Sequence, residues 1–196
     1  MKNIVVFASG SGTNFQAIID ACEAGQIKEA QISGLLASKK GIQAIDRAQK
    51  SDIPTAVLDR KQFKTEEAFT EQLLEQLSRW EADLIVLAGY LKKIPTPVIE
   101  KYRNRIINIH PSLLPKYGGK GFYGDRVHRA VIENEEEYSG CTVHIVTEEY
   151  DKGPILAQNK VPVYAKDDPA TLASRILKEE HQLLPAVIQK LIKSNP

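Results

Sequence analysis

The sequence predicts an α/β protein with an open, mostly parallel, twisted sheet, helices on both faces and an antiparallel hairpin late in the chain. Short, continuous apolar runs occur through the first half, and such runs are typical of strands buried on both faces. Segments with apolar residues at helical spacing alternate with these runs, which favours right-handed crossover connections. The last two strand-like segments are separated by a tight Asp-Lys-Gly-Pro turn and are therefore expected to pair.

Strands and helices alternate through the first hundred residues. Residues 4–8 have the sequence IVVFA and predict a first strand, which ends before Gly10 and Gly12. Apolar residues at helical spacing then predict a helix that ends before Gly25. The remaining predictions of this half are strand 32–37, helix 41–50, strand 55–58, a long helix that begins near residue 65, strand 84–88, helix 97–102 and strand 105–109.

The second half has a different character. Its predicted elements are a loop rich in Pro and Gly at 110–123, a helix at about 125–134, strands 140–147 and 155–163, and a closing helix at 169–193. We expect the closing helix to be interrupted or kinked near Pro185, because proline removes a backbone donor. Since no repeat, low-complexity tract or linker divides the chain, residues 1–196 are expected to form a single domain.

The composition argues against several classes of function. The chain has 196 residues, with 26 Lys and Arg against 25 Asp and Glu, so its overall charge does not indicate binding to nucleic acid. No apolar run approaches the roughly 20 residues of a membrane span. Cys22 and Cys141 lie in apolar stretches and predict reduced, buried thiols in the cytoplasm. Four scattered histidines and the lack of a Cys-x-x-Cys motif argue against a metal.

A glycine-containing loop, SGSGTN at residues 9–14, joins the first strand to the first helix. Small residues let backbone amides approach an anion, and a helix N-terminus favours negative charge. Phe15 occupies the position of the third glycine of a dinucleotide fingerprint, and no Gly-Lys-Ser/Thr follows. The glycines alone are equally compatible with a phosphate site and with a plain tight turn. The position of the loop, at the first strand-to-helix turn of an open sheet, favours a monophosphate site over a dinucleotide site.

Asn108 and His110 stand two residues apart at the end of the fifth predicted strand, so their side chains project to the same side. An amide and an imidazole placed together can stabilise an oxygen that gains charge in a transition state. The alternative is a structural histidine beside a turn asparagine. Two other histidines are expected to have no catalytic role: His128 on an exposed helix face, and His144 as a structural residue or a buried support for the site.

Asp151 lies in the turn between the last two predicted strands. By itself it is a typical turn residue before Gly153. If its carboxylate faced His110, it would raise the pKa of that imidazole and position its proton.

Three segments together resemble the folate-dependent formyltransferase family, and in particular the phosphoribosylglycinamide formyltransferases: SGSGTN after the first strand, NIHPSLLP after the fifth and TEEYDKGP after the sixth. The resemblance runs through nearly the whole chain and implies a Rossmann-like formyltransferase fold. Methionyl-tRNA formyltransferase and formyltetrahydrofolate hydrolase are similar in the second and third segments. The first segment, and a length that we expect to leave no room for a further domain, favour the phosphoribosylglycinamide enzymes.

The resemblance implies a role for each matching residue. Asn108, His110 and Asp151 would be catalytic. The residues that would bind the ribonucleotide are Gly12, Thr13, Asn14, Pro111 and Glu180. The residues that would bind the folate are Lys64, Leu91, Lys92, Lys93, Ile94, Asn108 and Tyr150. Residues 1–100 would thus form a ribonucleotide-binding half, and residues 101–196 a folate-binding and catalytic half.

This chain departs from the family pattern at two places. Gly118 and Gly119 stand where relatives have Pro-Gly, which makes the loop to Gly124 distinctive. Lys64 stands near the position of an arginine that reaches the folate tail in relatives.

The resemblance implies transfer of a formyl group from 10-formyltetrahydrofolate, a co-substrate, to the amine of glycinamide ribonucleotide in purine biosynthesis. It implies a cytoplasmic monomer or homodimer that acts on small molecules, with no metal, nucleic acid or membrane partner. Two alternatives stay open: a formyltetrahydrofolate hydrolase, and a sensor that binds a phosphate compound through the first loop alone.

Overall fold

The computed structural model describes residues 1–194, in which seven strands form one sheet and six α-helices cover it. The strands are β1 Lys2–Ala8, β2 Ala30–Ala37, β3 Thr55–Val57, β4 Leu84–Leu87, β5 Ile106–His110, β6 Tyr138–Ile145 and β7 Ile155–Pro162. The helices are α1 Thr13–Glu23, α2 Gln43–Lys50, α3 Glu66–Arg79, α4 Thr96–Lys101, α5 Asp125–Glu133 and α6 Pro169–Ser194.

The strand order β3-β2-β1-β4-β5-β6-β7 confirms the predicted fold class. Strands β1 to β5 are parallel, and β6 pairs antiparallel with both β5 and β7, so the late hairpin is also confirmed. The order reverses at β1, whose neighbours are β2 and β4. In open sheets of this kind, ligands bind beyond the carboxyl ends of the strands at such a reversal.

Two hydrophobic cores explain why the strands have continuous apolar sequences. Val6 and Ala8 face the layer that contains α1 and α6, whereas Val5 and Phe7 face the layer that contains α3 and α4. Successive strand residues point to opposite faces, so a sheet covered on both faces needs apolar residues at every position. Helix α3 begins where the sequence provides a cap: the Thr65 hydroxyl accepts a hydrogen bond from the Ala68 N–H.

Several local features differ from the sequence-based expectations. A short 3₁₀ helix, Arg60–Gln62, precedes α3 and was not predicted. Helix α6 continues through Pro185, so the expected interruption is wrong, whereas the alternative of a kink stays a prediction. Cys22 is half-buried rather than buried, whereas Cys141 is fully buried. Among residues 1–194, no helix combines the length and the apolar character that crossing a membrane requires.

Candidate active site

A cleft of about 600 Å³ opens at the carboxyl edge of the sheet. Its walls come from the loop after β4, the end of β5, the glycine-rich loop before α5, the turn after β6 and one side of α6. Asn14, His128 and His144 also line the cleft. Segments from distant parts of the sequence therefore meet at the edge where the sheet topology predicts a ligand site.

The end of β5 brings Asn108 and His110 into this cleft. The His110 Nε2–H donates a hydrogen bond to the Tyr117 carbonyl at 2.8 Å, which leaves Nδ1 facing Asp151. His110 Nδ1 and Asp151 Oδ2 are 3.7 Å apart. The structure thus brings together the three residues that the resemblance implies are catalytic.

Asp151 has a left-handed backbone conformation, with φ of 56°, in the turn after β6. Its Oδ2 accepts a hydrogen bond from the Gly119 N–H at 2.9 Å, and its Oδ1 lies 3.5 Å from His144 Nε2. Burial by itself would raise the pKa of the carboxyl, but His144, His110 and the Gly119 N–H together hold that pKa below its ordinary value. Asp151 is therefore an anion at neutral pH.

The pKa of His110 moves opposite to the sequence-based expectation. Burial is the largest influence and lowers the pKa, whereas Asp151 and the Tyr117 carbonyl raise it by less. The expected influence of Asp151 is present, but the apolar surroundings of the imidazole outweigh it. Without ligands, His110 is therefore held largely neutral at pH 7.

The loop before α5 needs its glycines for geometric reasons. A Cβ on Gly118 would lie 2.5 Å from Leu114 Cδ2 and 3.3 Å from the Asp151 Cβ. Gly119, which holds Asp151 through its N–H, has φ of +96°. Glu136 anchors the loop from outside, because it accepts hydrogen bonds from the Tyr117 hydroxyl and the Lys116 ammonium. The carboxylate is thus contacted by Gly119, and not by Gly118, where this chain departs from the family pattern.

The part of the cleft lined by Asn14 and α6 contains a second carboxyl, which is buried. Glu180 is only 6% exposed, and its Oε2 accepts a hydrogen bond from Asn14 Nδ2 at 2.7 Å. Burial raises the pKa of Glu180 to about 7, and the Asn14 hydrogen bond offsets only part of that rise. The Asn14 Oδ1 is buried and has no hydrogen-bond partner among residues 1–194. A ligand in this part of the cleft would therefore meet an amide oxygen in need of a donor and a carboxyl close to its titration point.

The SGSGTN loop lies at the N-terminus of α1, beside this second carboxyl. Gly12 precedes the helix with φ of +70°, and a Cβ there would lie 2.7 Å from the Ala44 Cβ. The tight turn and the close approach of α2 thus explain why position 12 is a glycine. Gly12 and Thr13 lie outside the cleft lining, whereas Asn14 belongs to it.

The predicted folate residues are divided between the cleft and the outer surface. Leu91, Lys92, Lys93 and Ile94 all line the cleft, as do Tyr150 and Pro111. The Ser9 hydroxyl accepts a hydrogen bond from the Leu91 N–H, which ties their loop to the end of β1. Lys64 is exposed and is not among the residues that line the cleft.

The expectation that His128 is solvated is wrong. His128 is 5% exposed, lines the cleft from α5, and has an Nδ1 without a hydrogen-bond partner among residues 1–194. Burial lowers the pKa of its imidazole. Helical spacing from the buried Val131 is three residues, and this signal in the sequence would have placed His128 on the inner face of α5.

His144 also contributes more than its sequence context indicates. It lies on β6 opposite Asn108, is 2% exposed, and its Nε2 is 3.1 Å from Asn108 Nδ2. Among residues 1–194, no group of three or more His, Cys, Asp or Glu side chains has an arrangement that could hold a metal ion.

Known proteins are similar to this chain in sequence, and one solved structure is similar to it in fold. A phosphoribosylglycinamide formyltransferase of Arabidopsis thaliana chloroplasts is 42% identical over 95% of the chain, and the chain spans 64% of that relative's length. The Escherichia coli K12 phosphoribosylglycinamide formyltransferase is 39% identical over 95% of the chain and 85% of its own length. The crystal structure of glycinamide ribonucleotide transformylase 1 from Symbiobacterium toebii superposes with a TM-score of 0.93 at 36% identity, over 99% of this chain and 89% of that one. The family model described as formyl transferase matches residues 2–188, and the chain therefore belongs to the formyl transferase family.

Proposed function

We propose that this protein transfers the formyl group of 10-formyltetrahydrofolate to the amine of N1-(5-phospho-D-ribosyl)glycinamide in the de novo synthesis of purine nucleotides (IMP). One observation carries the proposal: Asn108, His110 and Asp151 line the wall of a cleft that also reaches Asn14, the last residue of the SGSGTN loop. In this proposal, one cavity connects the centre of acyl transfer with the turn that binds the phosphate of the ribonucleotide. The names of the relatives, which are formyltransferases of this substrate, support the same assignment.

The proposed reaction needs no covalent enzyme intermediate. The amine nitrogen attacks the formyl carbon, and the carbonyl oxygen gains negative charge, which an Asn108 N–H and a proton on His110 Nδ1 stabilise. The carbon–N10 bond of the folate then breaks. The attacking nitrogen loses one proton and N10 gains one, so the products are the formylated ribonucleotide and tetrahydrofolate.

Asp151 supports two steps of the proposed reaction. Its carboxylate lies 3.7 Å from His110 Nδ1 and stabilises a proton there, which opposes the lowering of the His110 pKa by burial. Because Asp151 remains ionised, it is also able to accept the proton of the attacking amine through a water molecule.

The two ligands divide the cleft in this proposal. Gly12, Thr13, Asn14, Pro111 and Glu180 bind the ribonucleotide; Leu91, Lys92, Lys93, Ile94, Asn108 and Tyr150 bind the folate. Gly12 and Thr13 are kept although they lie outside the cleft lining, because they directly precede the lining residue Asn14. Lys64 is not kept for the folate, because it lies outside the lining and has no lining residue next to it in the chain. The single domain then has a ribonucleotide-binding half, residues 1–100, and a folate-binding and catalytic half, residues 101–196, each of which lends residues to the other's ligand. We further propose a cytoplasmic monomer or homodimer that acts on small molecules alone.

The test compares folate turnover with and without the ribonucleotide. Purified protein is incubated with 10-formyltetrahydrofolate, the folate absorbance is followed, and the formylated ribonucleotide is identified by mass spectrometry. We expect turnover that requires glycinamide ribonucleotide. Formate release at the same rate without it would identify a hydrolase, and binding of the ribonucleotide without turnover would identify a sensor.

A further inference from the structure

His144 contacts two of the three proposed catalytic residues, yet the reaction described above does not use it. It lies on β6 directly opposite Asn108 on β5 and is 2% exposed. Its Nε2 is 3.1 Å from Asn108 Nδ2 and 3.5 Å from Asp151 Oδ1. These contacts determine which role the imidazole is able to take.

The other ring nitrogen of His144 identifies the tautomer. Nδ1 lies 2.9 Å from the Ile145 carbonyl oxygen. A carbonyl oxygen only accepts hydrogen bonds, so Nδ1 must carry a proton. In the neutral imidazole Nε2 is then an acceptor, and its partner must be a donor.

This tautomer determines the orientation of the Asn108 side chain. The amide presents Nδ2 to His144, because the reverse orientation would place the amide oxygen against the lone pair of Nε2. Nδ2 has two hydrogens, and only one is used by His144. The second remains for a ligand, since Asn108 lines the cleft.

Asp151 does not compete for this neutral imidazole. A carboxylate is an acceptor only, so it gains no hydrogen bond from an unprotonated Nε2. Asp151 is held instead by the Gly119 N–H at 2.9 Å. With Nε2 unprotonated, His144 therefore acts through Asn108, whereas a protonated Nε2 would instead favour the charged form of Asp151.

We propose that His144, as the neutral Nδ1–H tautomer, is a positioning residue that fixes the Asn108 amide so that an N–H faces the formyl oxygen. The inference rests on the proposed formyl transfer and adds to it the source of the asparagine's orientation. The two hydrogen bonds, from His144 to the Ile145 carbonyl and from Asn108 to His144, thus orient the Asn108 N–H that donates to the oxyanion before the substrate binds.

The first experiment separates kcat from KM. We expect His144→Phe, which keeps a ring but removes both nitrogens, to lower kcat about 10- to 100-fold while both KM values stay within about threefold. His144→Gln offers an amide oxygen to Asn108 and is expected to recover part of the loss. Ser139→Ala, a buried position on the same strand outside the cleft, is the control and should retain wild-type kcat. An unchanged kcat in a folded His144→Phe protein would overturn the proposal.

A double-mutant cycle then identifies the route of the effect. In an Asn108→Ala background, His144→Phe should cause no further loss in single-turnover rate, whereas in an Asp151→Asn background it should cost the same factor as in the wild type. The reverse pattern would show that His144 acts through Asp151 and would contradict the inference.

A spectroscopic measurement does not depend on turnover. The ¹⁵N chemical shifts of labelled protein near pH 7.5, with His144→Gln to assign the signals, should show His144 protonated on Nδ1 alone. A proton on Nε2 would overturn the proposed orientation of Asn108. Failure of the proposed function would appear separately, as wild-type protein that has this tautomer but no ribonucleotide-dependent turnover.

Discussion

The cleft contains two largely buried carboxyl groups, and their pKa values are shifted in opposite directions. Glu180, beside the SGSGTN loop, has a pKa raised to about 7 by burial. Asp151, beside β5, has a pKa below its ordinary value although burial opposes this. Both carboxyls accept one hydrogen bond from a neutral N–H, Glu180 from Asn14 and Asp151 from Gly119.

The difference lies in the remaining neighbours. Asp151 has two imidazoles within 4 Å, His110 and His144, which favour its charged form. Glu180 has one amide partner and no ion pair among the residues that the structure describes, so desolvation decides its pKa. One part of the cleft therefore has a fixed negative charge, and another has a carboxyl that a bound ligand is able to ionise or neutralise.

The largest expected effect comes from removing the fixed charge. Asp151→Asn keeps the shape and can still accept from the Gly119 N–H, but it loses the charge that favours a proton on His110. We expect kcat for formyl transfer to fall about 10²- to 10⁴-fold, the range for acid–base groups. Steady-state kinetics with both substrates measures this change. Asp125→Asn, an exposed aspartate paired with Arg129, is the matched control, and equal losses in the two variants would contradict the comparison.

The second-largest expected effect concerns the contribution of Glu180 to stability. Because the folded-state pKa of Glu180 is raised from 4.5 to about 7, its contribution to stability is complete below pH 4.5 and is lost as pH rises to about 7. Relative to Glu180→Gln, the wild-type free energy of unfolding should therefore fall by about 3 kcal/mol between pH 4.5 and about pH 8. Urea denaturation of both proteins across this range provides the measurement.

The same urea measurements on wild-type protein and Asp151→Asn should give a difference in unfolding free energy that changes with pH in the opposite direction. The pKa of Asp151 is lowered, so its stabilising contribution is present above the ordinary carboxyl range and is lost as pH falls. A wild-type-minus-variant difference with the same slope for both carboxyls would refute the contrast between them.

A smaller effect is expected for the partner of Glu180. Asn14→Ala removes the one hydrogen bond that lowers the Glu180 pKa, and also the unpartnered Oδ1 that is available to the ribonucleotide. We expect KM for glycinamide ribonucleotide to rise about tenfold, the value of one hydrogen bond, with kcat changed less than threefold. Gln16→Ala, on the same helix but outside the cleft, is the control. A loss confined to kcat would place Asn14 in the chemistry instead.

The smallest effect tests the folate edge of the cleft. Replacing both Lys92 and Lys93 by alanine should raise KM for a polyglutamylated folate about two- to fivefold at low salt, and the difference should fade at high salt because exposed charges are screened. Lys64→Ala serves as the matched lysine outside the cleft and should leave KM unchanged. Equal effects in both variants would restore Lys64 to the folate site.

Local periodicity was enough to predict the sheet and one pair of residues in the candidate site. Covalent geometry places strand residues two apart on one side, so Asn108 and His110 had to project together once β5 was recognised. The apolar runs likewise predicted strands covered on both faces, and the two hydrophobic cores confirm this. Such patterns depend only on neighbouring residues, which is why they are visible in the sequence.

Only the tertiary structure revealed which distant segments are in contact and which side chains these contacts remove from water. Asn14 and Glu180 are 166 residues apart in the chain, and their hydrogen bond exists because α1 and α6 pack against each other on the same face of the sheet. His128 was expected in solvent and is buried, and the pKa of His110 was expected to be raised and is lowered. Both depend on how many atoms of the whole fold displace water from one side chain, a quantity that no local pattern contains.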